Sequence, residues 1–136
     1  MKIDRICLID SKNTGLNIIL SISENIMAGV EIKILKSDKT EYKTIKTTLS
    51  PTNRHFSKNI SIEPLLLHKG FMVWNVVLCS ADIKTERANF ELTLQQNSAN
   101  LRPTIPTTRT INSIPPCKFN KTIDFTDSLM FMVRGL

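Results

Sequence analysis

The stretch Gly70-Phe71-Met72-Val73-Trp74-Asn75-Val76-Val77-Leu78-Cys79 is the most apolar run in the chain. It is too short to cross a membrane as a helix, and its valines and aromatic residues are typical of a β-strand. Apolar residues occupy both alternating sets of positions, which predicts a strand covered on both faces. We therefore expect the rest of the fold to pack around residues 70–79.

Shorter alternating segments precede this run and predict half-buried strands. In residues 16–22 every second side chain is Leu or Ile, with mainly polar residues between them. Residues 30–35 alternate in the same way, and the polar tetrapeptide 37–40 after them predicts a hairpin turn. The partner strand, residues 42–49, alternates poorly and carries lysines, which predicts an edge strand.

The polar segment 80–87 has the length of a hairpin connection, and Phe90, Leu92 and Leu94 alternate with polar residues after it. We predict a hairpin between residues 71–79 and 89–96. Many short strands and little helical periodicity predict an all-β fold. The expected architecture is a two-layer antiparallel β-sandwich of about eight strands with immunoglobulin-like or jelly-roll topology and little helix. It forms one domain over residues 1–136.

Residues 97–117 differ in composition from the rest of the chain. They hold four of the six prolines, many Thr and Asn residues and no acidic residue. Such a segment favours extended backbone and cannot form a central strand. We predict a strand-crossing connection on the surface or an arm that docks on a neighbouring molecule, with free disorder as the alternative.

Basic residues are concentrated in residues 33–58, where the balance of formal charge is +5 out of +6 for the whole chain. Lysines on an edge strand discourage unwanted pairing, but they also match phosphates, an anionic membrane or an acidic protein. The residues predicted to make these contacts are Lys33, Lys43, Lys46, Arg54 and Lys58. Few aromatic residues are available nearby to stack on bases, which weakens the nucleic-acid hypothesis.

No group of residues points to catalysis or to a cofactor. His55 and His68 are the only histidines, and neither has a metal-ligand spacing to a cysteine. Four glycines are too few for a phosphate-binding loop. Cys117 is the best candidate nucleophile, with a histidine as its base, but an inert thiol is the better interpretation. We predict no catalytic residue, metal site or cofactor and leave a small-molecule ligand open.

Cys7, Cys79 and Cys117 are an odd number of cysteines, which excludes a complete disulfide framework and predicts reduced, mostly buried thiols. Residues 1–10 include acidic residues and lack the apolar centre of a signal peptide. No segment has the ~18 apolar residues of a transmembrane span. We expect a cytoplasmic protein, with export lacking a cleaved signal, or a processed mature chain, as alternatives.

The functional hypothesis that follows is a non-enzymatic binding or assembly module. A small β-sandwich without catalytic groups can pair strands at its edges or pass an arm to a neighbouring subunit. We expect a protein partner or self-association, through residues 97–117 or the edge strand near residues 41–49. The alternative is a basic nucleic-acid-binding protein that uses residues 33–58.

Overall fold

The computed structural model describes residues 6–10, 15–61, 69–96, 99–100 and 107–134. Within these ranges the chain forms ten β-strands and one short 3-10 turn, Cys117–Phe119. The strands are β1 (Ile6–Asp10), β2 (Gly15–Ile22), β3 (Ile26–Leu35), β4 (Glu41–Leu49), β5 (His55–Ser61), β6 (Lys69–Ser80), β7 (Thr85–Gln96), β8 (Ala99–Asn100), β9 (Thr107–Ile114) and β10 (Ile123–Arg134). None of the described segments is a helix long and apolar enough to cross a membrane.

The strands form two sheets packed face to face. Sheet A has the order β1-β10-β6-β3-β4, and sheet B has the order β5-β2-β7, with β8 and β9 both paired to the other side of β7. Every pairing between named strands is antiparallel except that of β1 with β10. The predicted all-β, two-layer sandwich is confirmed, with ten described strands instead of about eight.

The core lies between the inner faces of the two sheets. On β2, buried side chains alternate with partly exposed ones from Leu16 to Ile22, as the sequence predicts. On β6, Met72, Trp74 and Val76 turn inward and are fully or almost fully buried. Complete burial of each such side chain contributes about 1.5–3 kcal/mol relative to its exposed state. The apolar inner faces are therefore the main source of stability.

The central position of β6 in sheet A agrees with its apolar sequence, but only one of its faces is fully covered. Its outer face is buried at Phe71, where the Lys39 Nζ lies 5.6 Å from the ring centroid. At the other end of the same face Val77 is 41% exposed. The prediction of a strand covered on both faces is therefore wrong at Val77, and an apolar surface remains open there.

The hairpin between β3 and β4 forms where the sequence predicts it. Residues 36–40 make the turn, with Lys39 at a φ of 68° and its N–H donating to the Lys36 carbonyl at 2.8 Å. The Asp38 carboxylate accepts hydrogen bonds from the Thr40 hydroxyl and N–H, which lower the pKa of Asp38 below its ordinary value. As predicted, β4 is an edge strand.

The predicted hairpin between residues 71–79 and 89–96 is wrong, because β6 and β7 lie in different sheets. Both edges of β6 are already occupied, one by β3 and the other by β10. The connection between β6 and β7 crosses from sheet A to sheet B, and the hydroxyls of Ser80 and Thr85 lie 2.7 Å apart at its two ends. The alternation of apolar and polar residues identifies a half-buried strand, but it does not show which strand pairs with it.

Part of the proline-rich segment forms a regular strand. β9 pairs antiparallel with β7 from Thr107 to Ile114, where the sequence predicted a connection or an arm. Residues 107–114 contain no proline, and Pro115 and Pro116 follow directly after the strand. The prolines thus flank β9 and do not interrupt it, which is compatible with a position at the side of the sheet. Residues 97–98 and 101–106 lie outside the described residues.

A side chain of β9 connects the two sheets at one open side of the sandwich. The Arg109 guanidinium donates to the Asp127 carboxylate on β10 at 2.7 Å, and it lies 4.6 Å from the centroid of the Phe125 ring. Phe125 in turn meets Phe90 of β7 edge to face, with ring centroids 5.6 Å apart. Arg109 therefore joins sheet B to sheet A through both a charge pair and an aromatic contact.

We predict that Gly70→Ala destabilises the fold by about 1–3 kcal/mol, since an added methyl group overpacks the interior. A Cβ at Gly70 would lie 2.5 Å from the buried Phe131 ring and 2.9 Å from the Leu35 carbonyl oxygen. Gly29→Ala is the matched control, because a Cβ there meets nothing within 4 Å. Urea unfolding of both variants checks this; equal midpoints would show that the close contact at Gly70 does not limit stability.

Candidate functional site

Two of the five basic residues predicted as contacts, Lys33 and Lys46, lie on the outer face of sheet A. Glu31 lies between them, with its carboxylate 3.7 Å from the Lys33 Nζ and 3.5 Å from the Lys46 Nζ. Glu41 and Thr44 complete the lining of this shallow depression. A phosphate entering the depression would meet two carboxylates as well as two ammonium groups. The depression therefore has no excess of positive charge.

The other three basic residues do not join this pair. Arg54, in the β4–β5 connection, has its guanidinium 3.8 Å from the Glu24 carboxylate. Lys43 on β4 and Lys58 on β5 belong to the two strands that flank one open side of the sandwich, and neither side chain contacts a carboxylate among the described residues. The structure thus divides the predicted site: three of its residues are ion-paired, and two have no carboxylate partner among the described residues.

The residues considered for catalysis are not brought together. His55 lies on β5 in sheet B, opposite Ser21 of β2, whereas Cys117 is attached to sheet A. His68 lies outside the described residues. Among the residues that the structure describes, no group of three or more His, Cys, Asp or Glu side chains could hold a metal ion.

Cys79 and Cys117 form a disulfide, which corrects the prediction of reduced thiols. Their Cα atoms are 4.9 Å apart, and the bond joins the end of β6 to the 3-10 turn. Ser80 supports this junction by donating its N–H to the Pro115 carbonyl at 2.7 Å. Cys117 is therefore not a free nucleophile. An odd number of cysteines excludes complete pairing, but it does not exclude one bond, and sequence spacing does not show which two residues meet.

Exposed apolar side chains lie near this disulfide on the outer face of sheet A, where the exposed Asp124 is opposite Val77 in the register. Met27 on β3 is opposite Cys79 in the register, and it is 40% exposed. Gly29 is opposite Val77, and the space above Gly29 is open. The 3-10 turn carries Phe119, which is 61% exposed. The apolar outer patch is defined here as Met27, Gly29, Val77, the Cys79–Cys117 disulfide and Phe119.

The sequence contains a signal for this patch: apolar residues stand at outward positions of two strands. The signal was missed because apolar residues at such positions were interpreted as buried. Val77 and Met27 both occupy positions of strand alternation that turn away from the buried residues of their strands. An apolar residue at such a position is either covered by another element or exposed. The patch could be recognised only after the structure showed that nothing in the described part of the chain covers it.

Comparison with known proteins supports the fold but gives no information on function. No family model matches the sequence, and no curated protein sequence is significantly similar to it. The chain is similar in structure to a domain of unknown function, DUF4425, from Bacteroides vulgatus. The TM-score is 0.52 and the sequence identity 10%, over 90% of this chain and 98% of that domain. At this identity the similarity establishes the β-sandwich and carries no activity with it.

We predict that alkylation of the unfolded, unreduced protein labels one cysteine and that alkylation after reduction labels three. The Cys79–Cys117 disulfide removes two thiols and leaves Cys7. Because the bond closes a loop with a sequence separation of 38, the chain-entropy estimate assigns it about 4 kcal/mol of stability. Intact-mass measurement counts the labels, and urea unfolding with and without reductant measures the loss. Three labels without reductant would contradict the disulfide.

Proposed function

We propose that the protein is a non-enzymatic assembly module that associates with a second copy of itself through the apolar outer patch. The observation that carries the proposal is the exposure of Met27, Val77 and Phe119 at one end of one sheet. A contiguous exposed apolar patch is one mark of a protein contact. A two-fold contact would place the same apolar side chains on both sides, so the patch is complementary to itself.

The size of the patch limits the affinity. Few large side chains contribute, so the buried area falls at or below the lower end of stable interfaces, about 1,200 Å² in total. We therefore expect a dissociation constant of roughly 10 μM to 1 mM, in the range of weak and transient complexes. The edge strand β4 and the strand β9 are the alternative contact surfaces, since an edge can pair with a further strand.

The disulfide supports an oxidising compartment for this function, in place of the cytoplasm expected from the sequence. Structural disulfides form and persist in secreted and periplasmic proteins and are rare where thiol reductants are abundant. Cys79–Cys117 also holds the 3-10 turn with Phe119 beside sheet A. The same covalent bond therefore shapes the proposed contact surface and supports the proposed oxidising compartment.

We predict that Val77→Asp abolishes self-association, because it replaces an apolar side chain of the patch with a second carboxylate beside Asp124, which is opposite Val77 in the register. Analytical ultracentrifugation over a concentration series up to about 1 mM covers the expected affinity. Met132→Asp is the matched control. Met132 on β10 lies on the same outer face of sheet A, near its opposite end, and is 39% exposed, against 41% for Val77 on β6. The control should associate like the unmodified protein.

A strictly monomeric protein at the highest concentration, or equal effects of the two variants, would contradict this proposal. Retention on a polyanion column that collapses with salt would instead favour the nucleic-acid alternative. That alternative is supported by Lys43 and Lys58, which have no carboxylate partner among the described residues, so the double variant Lys43→Glu with Lys58→Glu should then lose the retention.

A further inference from the structure

The outer face of sheet B differs in composition from the rest of the chain. Among the described side chains, strand alternation and register turn five amides outward on this face, and most of the residues between them are Ser or Thr. The five are Asn17, Asn59, Asn89, Gln95 and Asn112. Among the described outward positions of these strands the formal charges are those of Arg87 and Glu91, which cancel. A chain with a net charge of +6 thus presents one nearly neutral face.

Three of the amides form a row across the sheet. Asn59 on β5 pairs in register with Asn17 on β2, and Asn17 pairs with Gln95 on β7. Neighbouring strands lie about 4.8 Å apart, so successive amides in the row repeat at that spacing. In the adjacent row the half-buried Ile19 lies between Ser57 and Thr93. The face therefore combines a line of amides with one aliphatic contact.

Neighbouring hydroxyls fix the orientation of two amides. The Ser57 hydroxyl donates to the Asn17 Oδ1 at 3.0 Å, and the Thr110 hydroxyl donates to the Asn89 Oδ1 at 2.8 Å. With its oxygen engaged, each amide directs its NH₂ group away from that hydroxyl as a donor. Side chains held in this way lose less conformational entropy when a ligand binds.

The asparagines are also unfavourable residues for the strands in which they lie. Asn is depleted in β-strands, whereas Thr, Val and Ile are favoured, so each outward Asn costs stability relative to those residues. Residues whose intrinsic propensity disagrees with the local secondary structure are expected at functional positions. The repeated occurrence of Asn on one face is therefore more easily explained by its hydrogen-bonding groups than by strand propensity.

We propose that the outer face of sheet B binds a neutral glycan. Sugar hydroxyls donate and accept hydrogen bonds, as amides do, and the C–H face of a sugar ring is apolar enough to pack on Ile19. The lack of net charge on the face matches a neutral polymer, and it disfavours phosphate or sulfate polymers, which require clustered cations. This surface lies on the opposite side of the sandwich from the apolar outer patch, so the two activities are independent.

The test is affinity electrophoresis in gels containing a neutral polysaccharide, followed by titration calorimetry with the one that retards the protein. The panel is a mixed-linkage β-glucan, an α-glucan, a galactomannan and an arabinoxylan, with heparin and single-stranded RNA as charged probes. The full chain with its disulfide intact is used. We expect retardation by at least one neutral polysaccharide, unchanged when the salt concentration is raised.

The double variant Asn17→Thr with Asn59→Thr should lose at least tenfold in association constant. Because Thr favours strands, its urea midpoint should equal or exceed that of the unmodified protein. Lys33→Thr with Lys46→Thr, on the outer face of sheet A, is the control and should bind normally. Both variants should self-associate as the unmodified protein does, which separates this proposal from the preceding one.

Several results would overturn the glycan site. They are retardation by none of the neutral polysaccharides, retardation by the charged probes alone, or unchanged binding by the asparagine variant. A lower urea midpoint for that variant would show that the amides serve the fold, and it would equally count against the proposal.

Discussion

The burial of Trp74 and its neighbours between the sheets controls the orientation of every strand that pairs with β6. β6 has β3 on one side and β10 on the other, so its register fixes theirs. Because side chains alternate with a period of two, a slip of one residue would exchange the inner and outer faces of a strand. Trp74 would then be exposed and Asn75 buried. The large energetic difference between these states keeps sheet A in one register.

Once the inner faces are assigned, the outer faces are free to differ, and they do. The outer face of sheet A carries a mixed-charge depression at one place and exposed apolar side chains beside a disulfide at another. The outer face of sheet B carries amides and hydroxyls with almost no formal charge. A β-sandwich is held together by its core, so function is expected on these outer surfaces and edges.

The sequence was sufficient for features that depend on local pattern. Alternation located β2 and β3, and the polar residues 37–40 located the turn between β3 and β4. Features that depend on which strands pair could not be predicted from the sequence. The pairing of Cys79 with Cys117 and the separation of β6 from β7 both follow from chain crossings between the sheets, which leave no local pattern.

The basic stretch and the amide face both show that the sequence does not reveal which side chains strand pairing brings together. Lys33 and Lys46 are adjacent only because the β3–β4 register aligns Glu31 with Lys46, and this alignment also supplies the neutralising carboxylate. Asn17, Asn59 and Asn89 are far apart in the chain, and only strand pairing assembles them. The density of charge along the sequence therefore did not show which lysines are ion-paired, and the amides share a face only because the strands pair as they do.

The position of β10 has a consequence for how the protein folds. It follows the other nine described strands in the chain, yet it pairs between β1 and β6. During synthesis, the facing edges of β1 and β6 stay unpaired until β10 has been made. Unpaired edges with apolar side chains are prone to aggregation. Such long-range closure gives a high contact order, with folding on the order of milliseconds to seconds. A partly synthesised chain therefore leaves this gap in sheet A open until β10 fills it.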